Sequence, residues 1–152
     1  MTAGRRAAWA RAGVVLAAVL VADQVTKALV RSSLEVGEVR EVLPFLDLVH
    51  VTNEGIAFGA LGGGETLVVI AVAAALVGLI VFFVVSADRP LVWLPTGLLL
   101  GGALGNVIDR VRDGAVTDFI KLPHWPAFNL ADVAITAGVI ALVVSLDALR
   151  GH

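Results

Sequence analysis

The sequence predicts an all-α membrane protein with four transmembrane helices. Hydrophobic residues make up 59% of the chain and charged residues only 16%, whereas a soluble domain is about half apolar and about a quarter charged. The apolar residues are gathered into four runs, and a bilayer core of about 30 Å needs roughly 20 such residues in a helix. The predicted spans cover residues 12–30, 66–85, 91–108 and 130–146.

Each predicted span has its own pattern. Residues 12–30 are interrupted near their far end by Asp23 and Lys27, and their apolar stretch is too long for a cleaved signal peptide. Residues 66–85 carry no charge, residues 91–108 end just after Asn106, and residues 130–146 are entered through Asp132. No internal repeat or long polar tail divides the chain, so we expect one domain over residues 1–152.

The connections between the spans differ in length. Residues 86–90 are a tight polar turn, which predicts a hairpin of the second and third spans. The segments 31–65 and 109–128 are long and emerge on the same side; within the first, Val39, Leu43 and residues 46–52 are typical of short strands. Arginines 5, 6 and 11 precede the first span, and such an N-terminal cluster favours cytoplasmic termini.

The third predicted span carries a ridge of small residues, Gly97, Gly101 and Gly105, at four-residue spacing. Small residues at this spacing allow helix backbones to approach closely in lipid. We interpret this glycine ridge as a packing surface.

Several chemistries are excluded by composition or spacing. The chain has no cysteine, which excludes disulfides, thiolate zinc sites and a cysteine nucleophile. Its formal net charge of -2 argues against a nucleic-acid partner. No serine lies in a G-x-S-x-G turn and no histidine lies in an H-E-x-x-H helix. His50 is interpreted as a strand residue and His124 as part of a turn.

Polar residues at the ends of membrane spans are functional candidates, because charge near lipid is costly. Asp23 and Lys27 are one helical turn apart, in the order that favours an ion pair, and we prefer the structural interpretation. Asn106, Asp109 and Arg110 share one helix end. Arg110 can pair with Asp109 or position a substrate oxygen, and a simple polar cap to the span explains these residues equally well.

Two further acids raise the possibility of a catalytic pair. Asp118 is embedded in the apolar string VTDFI, and Asp132 lies three residues after Asn129 in FNLADVAI. Asn129 and Asp132 suit a helix N-cap with an acid at the third position. That explains Asp132 but not Asp118, and two carboxylates meeting at a membrane surface can share a proton and activate water. Single acids at helix mouths are common, so the spacing alone leaves both interpretations open.

Two other classes of function compete with an enzyme. A channel or transporter would need charge deep within a span, whereas the charged residues here cluster toward one end. A non-catalytic assembly protein built on the glycine ridge leaves the apolar setting of Asp118 unexplained. A presenilin-type protease would need its acids in a G-x-G-D context, which is absent.

Five sequence blocks resemble the lipoprotein signal peptidase family, also called signal peptidase II. They are DQVTK from Asp23, NEGIAFG from Asn53, GGALGNVIDR from Gly101, VTDFI from Val116 and FNLAD from Phe128, and they follow the order of the family's signature. The blocks span nearly the whole chain.

The resemblance implies a fold and an activity. The family's fold is four transmembrane helices with a small extracytoplasmic β-sheet and a mobile periplasmic helix, and segment 31–65 would supply the sheet and the region after Asp109 the flap. Members cleave signal peptides from diacylglyceryl-modified prolipoproteins at the bacterial inner membrane. They are aspartic endopeptidases without metal or organic cofactor, and they are targets of globomycin-type antibiotics. We expect a monomer with its active site at the outer leaflet.

The resemblance also assigns roles to residues. The catalytic pair would be Asp118 and Asp132, one as base and the other as acid. Substrate-contacting or dyad-supporting positions would be Asn53, Gly55, Asn106, Arg110 and Asn129. Asp23, Lys27 and Asp109 would have supporting roles.

Overall fold

The structure, a computed structural model, describes residues 2–55, 64–89 and 91–148, without the side chains of residues 64–69 and 148. Residues 56–59 of the second signature block therefore lie outside the described residues. Within the described part, four helices and three strands follow each other along the chain. They are α1 Ala3–Ser33, β1 Val39–Leu43, β2 Leu46–Asn53, α2 Gly64–Ser86, α3 Trp93–Asp113, β3 Val116–Lys121 and α4 Leu130–Ala148.

Each predicted span lies almost entirely within one helix, but two helices are longer than predicted. Helix α1 begins at Ala3 because Thr2 caps it: the Thr2 hydroxyl accepts the Arg5 backbone N–H at 3.2 Å. Helix α3 continues to Asp113 and ends where Gly114 adopts a positive φ of 73°. Asp109 and Arg110 therefore lie inside α3 with Asn106, and the prediction that the long connection begins at Asp109 is wrong.

The helices differ in how clearly they suit a membrane. Helix α1 and residues Leu130–Asp147 of α4 are long and apolar enough to cross one, and Ile70–Ser86 of α2 forms a shorter apolar helical segment. Valines on the outside of α1 and α2, such as Val14 and Val85, are exposed by 69% and 75%. Apolar surfaces of this kind suggest a membrane protein, while the count of four spans stays a prediction.

The glycine ridge packs α3 against α1, as predicted. A Cβ on Gly97 would lie 2.7 Å from the Ala12 carbonyl oxygen, and one on Gly101 would lie 2.9 Å from that of Leu16. A Cβ on Gly105 would collide with the carboxylate of Asp23. Glycine at these positions lets the two backbones touch and lets a charged side chain lie flat against α3.

The three strands form one antiparallel sheet in the order β1-β2-β3. Both long connections contribute to it, so they meet at one end of the helices. At the other end, Arg5 lies 3.3 Å from Asp88 in the turn between α2 and α3, and its guanidinium also donates to the Val84 carbonyl. The predicted arrangement of long and short connections is confirmed.

The region after Asp109 differs from the expectation of a moving flap. It first completes α3 and then forms β3, which pairs with β2 through Val51 opposite Asp118 and Asn53 opposite Val116. No helix lies between Asp113 and Leu130. Ladder hydrogen bonds hold residues 116–121 in the sheet, so this part of the segment is a strand and not the expected flap.

Both histidine interpretations are correct. His50 lies in β2, where its Nδ1 is 2.9 Å from the Leu34 carbonyl. His124 lies in the turn after β3 with a φ of 59°.

Candidate active site

Asp118 is a buried carboxyl in the centre of β3. Only 3% of the residue is exposed. Asn129 donates its Nδ2–H to Oδ1 at 2.7 Å, and Asn53 donates to Oδ2 at 3.1 Å. Burial raises the pKa of Asp118 from 3.8 to about 6, and the negative charge of Asp132 acts in the same direction, against the two amide donors. Asp118 therefore holds a proton at a pH where an ordinary aspartate has lost it.

Asp132 lies in the first turn of α4, as the predicted capping arrangement requires. The Asn129 side-chain oxygen accepts the Asp132 backbone N–H at 2.9 Å, and Asp132 Oδ2 accepts the Asn129 backbone N–H at 3.3 Å. This reciprocal pair is a capping box, and the positive end of the helix dipole faces the carboxylate. The half-buried Asp132 is thus held in place on the sheet side of α4.

Asn129 joins the two acids. Its side chain is fully buried, with Oδ1 bound to the backbone of Asp132 and Nδ2 bound to the carboxylate of Asp118. One amide thus spans the two carboxyl-bearing residues, which come from β3 and α4. The structure brings Asp118 and Asp132 together, although 14 positions separate their numbers in the sequence.

Three asparagines present their NH2 groups to the two acids, and each amide has an enforced orientation. Asn53 Oδ1 accepts the Gly55 N–H at 2.9 Å, so its Nδ2 turns to Asp118. Asn106 Oδ1 accepts from the Lys27 ammonium at 3.0 Å, so its Nδ2 faces Asp132 Oδ1 at 2.9 Å. An ammonium or a backbone N–H can only donate, which excludes the flipped amides.

Gly55 has a specific backbone reason to be glycine. Its φ is +69°, in the left-handed region that other residues rarely adopt. This conformation brings the Gly55 N–H onto the Asn53 side chain. Gly55 thereby orients Asn53 toward Asp118.

Asp23, Lys27 and Asp109 form a fully buried triad behind the two acids. Lys27 Nζ lies 2.8 Å from Asp23 and 2.9 Å from Asp109, and all three side chains have 0% exposure. The predicted Asp23–Lys27 pair is present, and Asp109 belongs to it instead of pairing with Arg110. These charges bind each other and are shielded from solvent, so they do not line the polar path that a transporter would need.

Arg110 has few partners in the part of the chain that the structure describes. There its guanidinium donates a single long hydrogen bond, 3.5 Å, to the Asn106 carbonyl. Among the described residues it takes part in no ion pair. A half-buried guanidinium in this state retains donors for an external oxygen.

Gln24 and Thr117 are site residues that sequence reasoning missed. Gln24 donates to the carboxylates of Asp23 and Asp109 at 3.2 and 3.0 Å. The Thr117 backbone N–H donates to Asp109 at 3.2 Å, and the Thr117 hydroxyl oxygen accepts from the Arg31 guanidinium at 3.0 Å. Both lie inside signature blocks, and that position was the available signal.

A family profile described as signal peptidase (SPase) II matches residues 15–147. The chain belongs to the signal peptidase II family. The match runs from α1 to the end of α4 and includes every residue of the site. Members of this family are peptidases, so the chain is a hydrolase.

Relatives of the signal peptidase II family cover most of the chain. The lipoprotein signal peptidase of Moorella thermoacetica is 44% identical over 126 residues, which are 82% of this chain and 84% of the relative. That of Halothermothrix orenii is 36% identical over 134 residues, 88% and 92% of the two chains. A bacterial membrane enzyme solved by the in meso method at 1.9 Å has a TM-score of 0.84 and 36% identity, covering 89% of this chain and 91% of its own.

Proposed function

We propose that the chain is a lipoprotein signal peptidase of the aspartic type. It cleaves the signal peptide of diacylglyceryl-modified prolipoproteins just before the lipidated cysteine. The observation that carries the proposal is the Asn129 bridge, which holds a buried carboxyl and a helix-end carboxylate in one hydrogen-bonded unit. The relatives of Moorella thermoacetica and Halothermothrix orenii are named lipoprotein signal peptidases, which supports the lipoprotein-processing part of the proposal.

In this proposal the two carboxyls have different protonation states. Asp118 is the acid, because burial raises its pKa to about 6. Asp132 is the base, because it lies at the positive end of α4 and accepts two N–H donors. Two carboxyls that share one proton are the arrangement that aspartic proteases use to split a water molecule.

The chemical step then follows from these roles. Asp132 removes a proton from water as the water oxygen bonds to the scissile carbonyl carbon. Asp118 donates its proton to the carbonyl oxygen, which yields a neutral tetrahedral intermediate. The C–N bond then breaks, and Asp132 gives the proton that it took from water to the leaving nitrogen. One of the two hydroxyls of the intermediate returns its proton to Asp118 and becomes the carbonyl of the new carboxylic acid. One water is consumed, and the dyad recovers its single proton.

The setting of the site agrees with a lipid-anchored substrate. We propose four transmembrane helices in the bacterial inner membrane, with both termini cytoplasmic and the sheet at the outer leaflet. There the dyad meets the lipidated cysteine at the bilayer surface. Arg110 binds a carbonyl or phosphate oxygen of the substrate, and peptide antibiotics of the globomycin type occupy the same site. The enzyme acts as a monomer without cofactor.

The central test replaces each dyad member by its amide. Asp118→Asn and Asp132→Asn should each lower cleavage of a diacylglyceryl-modified lipobox peptide by more than about 10²-fold, because an amide neither takes nor gives the proton. The double variant should be scarcely worse than either single variant, since the pair acts as a unit. Turnover by purified protein in detergent is the measurement.

Two controls accompany this test. Each variant should keep its thermal transition and its binding of globomycin, which would separate lost chemistry from lost folding. Asp47→Asn, on the sheet away from the dyad, should leave turnover unchanged. If either dyad variant retained near-normal turnover, the dyad would be wrongly assigned.

A further inference from the structure

Lys27 uses every hydrogen-bond donor of its ammonium inside the protein. Its Nζ lies 2.8 Å from Asp23 Oδ2, 2.9 Å from Asp109 Oδ2 and 3.0 Å from Asn106 Oδ1. An ammonium has three donors and no acceptor, so its capacity is filled. Lys27 itself has no exposure and takes no part in the proposed proton transfers.

The two acids of the triad each hold a second group, and the identity of these groups is the key observation. Asp23 Oδ1 accepts the backbone N–H of Ala131 at 2.9 Å. Asp109 Oδ2 accepts the backbone N–H of Thr117 at 3.2 Å. Ala131 immediately precedes Asp132, and Thr117 immediately precedes Asp118.

We infer that Asp23, Lys27 and Asp109 act as a clamp that sets the spacing of the two dyad-bearing backbones. The connection runs from Ala131 through Asp23, Lys27 and Asp109 to Thr117, and so joins the start of α4 to β3. The inference rests on the proposed dyad. The three residues are positioning residues, because they act through the backbones of Asp118 and Asp132 and touch neither carboxyl.

A role in positioning explains why charge is buried here. A buried ion pair adds little stability compared with apolar packing, because desolvation offsets the attraction. Its hydrogen bonds are directional, however, and a catalytic group displaced by about 1 Å can lose about 10²-fold in rate. Gly105 supports this role, since any side chain there would displace the Asp23 carboxylate.

The test uses two single variants that leave a neutral buried pair. Asp23→Asn leaves Lys27 with Asp109, and Asp109→Ala leaves Lys27 with Asp23, so neither creates an uncompensated charge. Different oxygens of Asp23 accept from Lys27 and from the Ala131 N–H, so the amide of Asp23→Asn must turn its NH2 toward one of these donors and breaks one contact of the clamp. Asp109 binds Lys27 and the Thr117 N–H through the same Oδ2, so removal of its carboxylate in Asp109→Ala breaks both contacts. We expect kcat on the lipidated peptide to fall on the order of 10–100-fold, with KM within about twofold of wild type.

Amide hydrogen exchange gives a readout that does not depend on catalysis. The Thr117 N–H should exchange faster in Asp109→Ala but not in Asp23→Asn, and the Ala131 N–H should show the reverse. Asp88→Asn and Asp88→Ala are the matched controls. They make the same changes at an ion pair with Arg5 at the opposite end of the helices, and they should alter neither kcat nor exchange at these amides.

Three results would overturn the clamp: retained kcat in both variants, an increase in KM with unchanged kcat, or loss of the thermal transition in both. Loss of the thermal transition in both variants would mean that these residues are required for folding and are not positioning residues. Failure of the dyad itself would appear separately, as turnover retained by Asp118→Asn or Asp132→Asn, whatever the exchange rates of the clamp variants.

Discussion

Burial disfavours the charged form of Asp118, and this links the stability of the protein to pH. The folded-state pKa of about 6 lies above the ordinary 3.8, so the folded state binds the proton more tightly than the unfolded state. The stabilisation by that proton is complete below about pH 4 and is lost as the pH rises through about 6. The rise from 3.8 to about 6 corresponds to about 3 kcal/mol, at about 1.4 kcal/mol per pKa unit.

We therefore predict a steeper fall in Tm between pH 5 and pH 8 for the wild type than for Asp118→Asn. The variant also loses one amide hydrogen bond, because an asparagine cannot accept from both Asn53 and Asn129. The test is therefore the difference between wild type and variant in the slope of Tm against pH, and not the absolute Tm of the variant. Parallel slopes in calorimetric scans would contradict the raised pKa.

The role that we propose for Arg110 is to bind an oxygen of the substrate. We predict that Arg110→Ala keeps its thermal transition but raises KM for the lipidated peptide by about 10-fold, as expected for loss of one charge-assisted hydrogen bond of about 1.4 kcal/mol or more. Arg112→Ala, which removes an exposed guanidinium paired with Asp113, should leave KM unchanged. Loss of folding in Arg110→Ala would make the residue structural.

At the scale of the helices, the glycine ridge brings the triad and the dyad within reach of each other. A Cβ on Gly101 would lie 2.9 Å from the Leu16 carbonyl and 2.9 Å from the Val19 Cβ, so the backbones of α1 and α3 would have to separate. We predict that Gly101→Ala destabilises the protein by about 1–3 kcal/mol, the usual cost of overpacking. Thermal unfolding in detergent measures it.

Gly13→Ala is the matched control on α1. A Cβ there meets nothing within 4 Å, and alanine in a helix interior is favoured over glycine by about 0.5–1 kcal/mol. The Tm of this variant should stay level or rise. An equal loss of Tm in both variants would contradict the assignment of the Gly101 effect to the contact between α1 and α3.

At the scale of the whole molecule, the sheet and the α2–α3 turn lie at opposite ends of the helices, so they should lie on opposite sides of the membrane. The chain has no cysteine, which permits single-cysteine labelling. Val36→Cys, at a residue 66% exposed beside the sheet, should react with a membrane-impermeant maleimide in intact cells. Arg89→Cys, in the turn, should react only after permeabilisation. The reverse pattern would invert the orientation.

The features that the sequence predicts correctly are local ones. Helix periodicity, the Asn129–Asp132 capping box and the four-residue glycine spacing all depend on residues within one or two helical turns of each other. Asp23 and Lys27 could be paired for the same reason. Where local signals are weak, as at the end of α3, the prediction stopped at Ile108, because the polar residues that follow resemble a helix end although the helix continues to Asp113.

The composition of the site required the tertiary structure, because its contacts join residues that are remote along the chain. Asn53 reaches Asp118 across 65 positions, and Asp23 reaches the Ala131 N–H across 108. The partner of Asp109 is Lys27 and not its neighbour Arg110, a choice that depends on how α1 packs on α3. Sequence alone determined which polar residues lie near one end of the helices. Helix and sheet packing decided which of them bind each other, because a hydrogen bond depends on distance in space and not on separation along the chain.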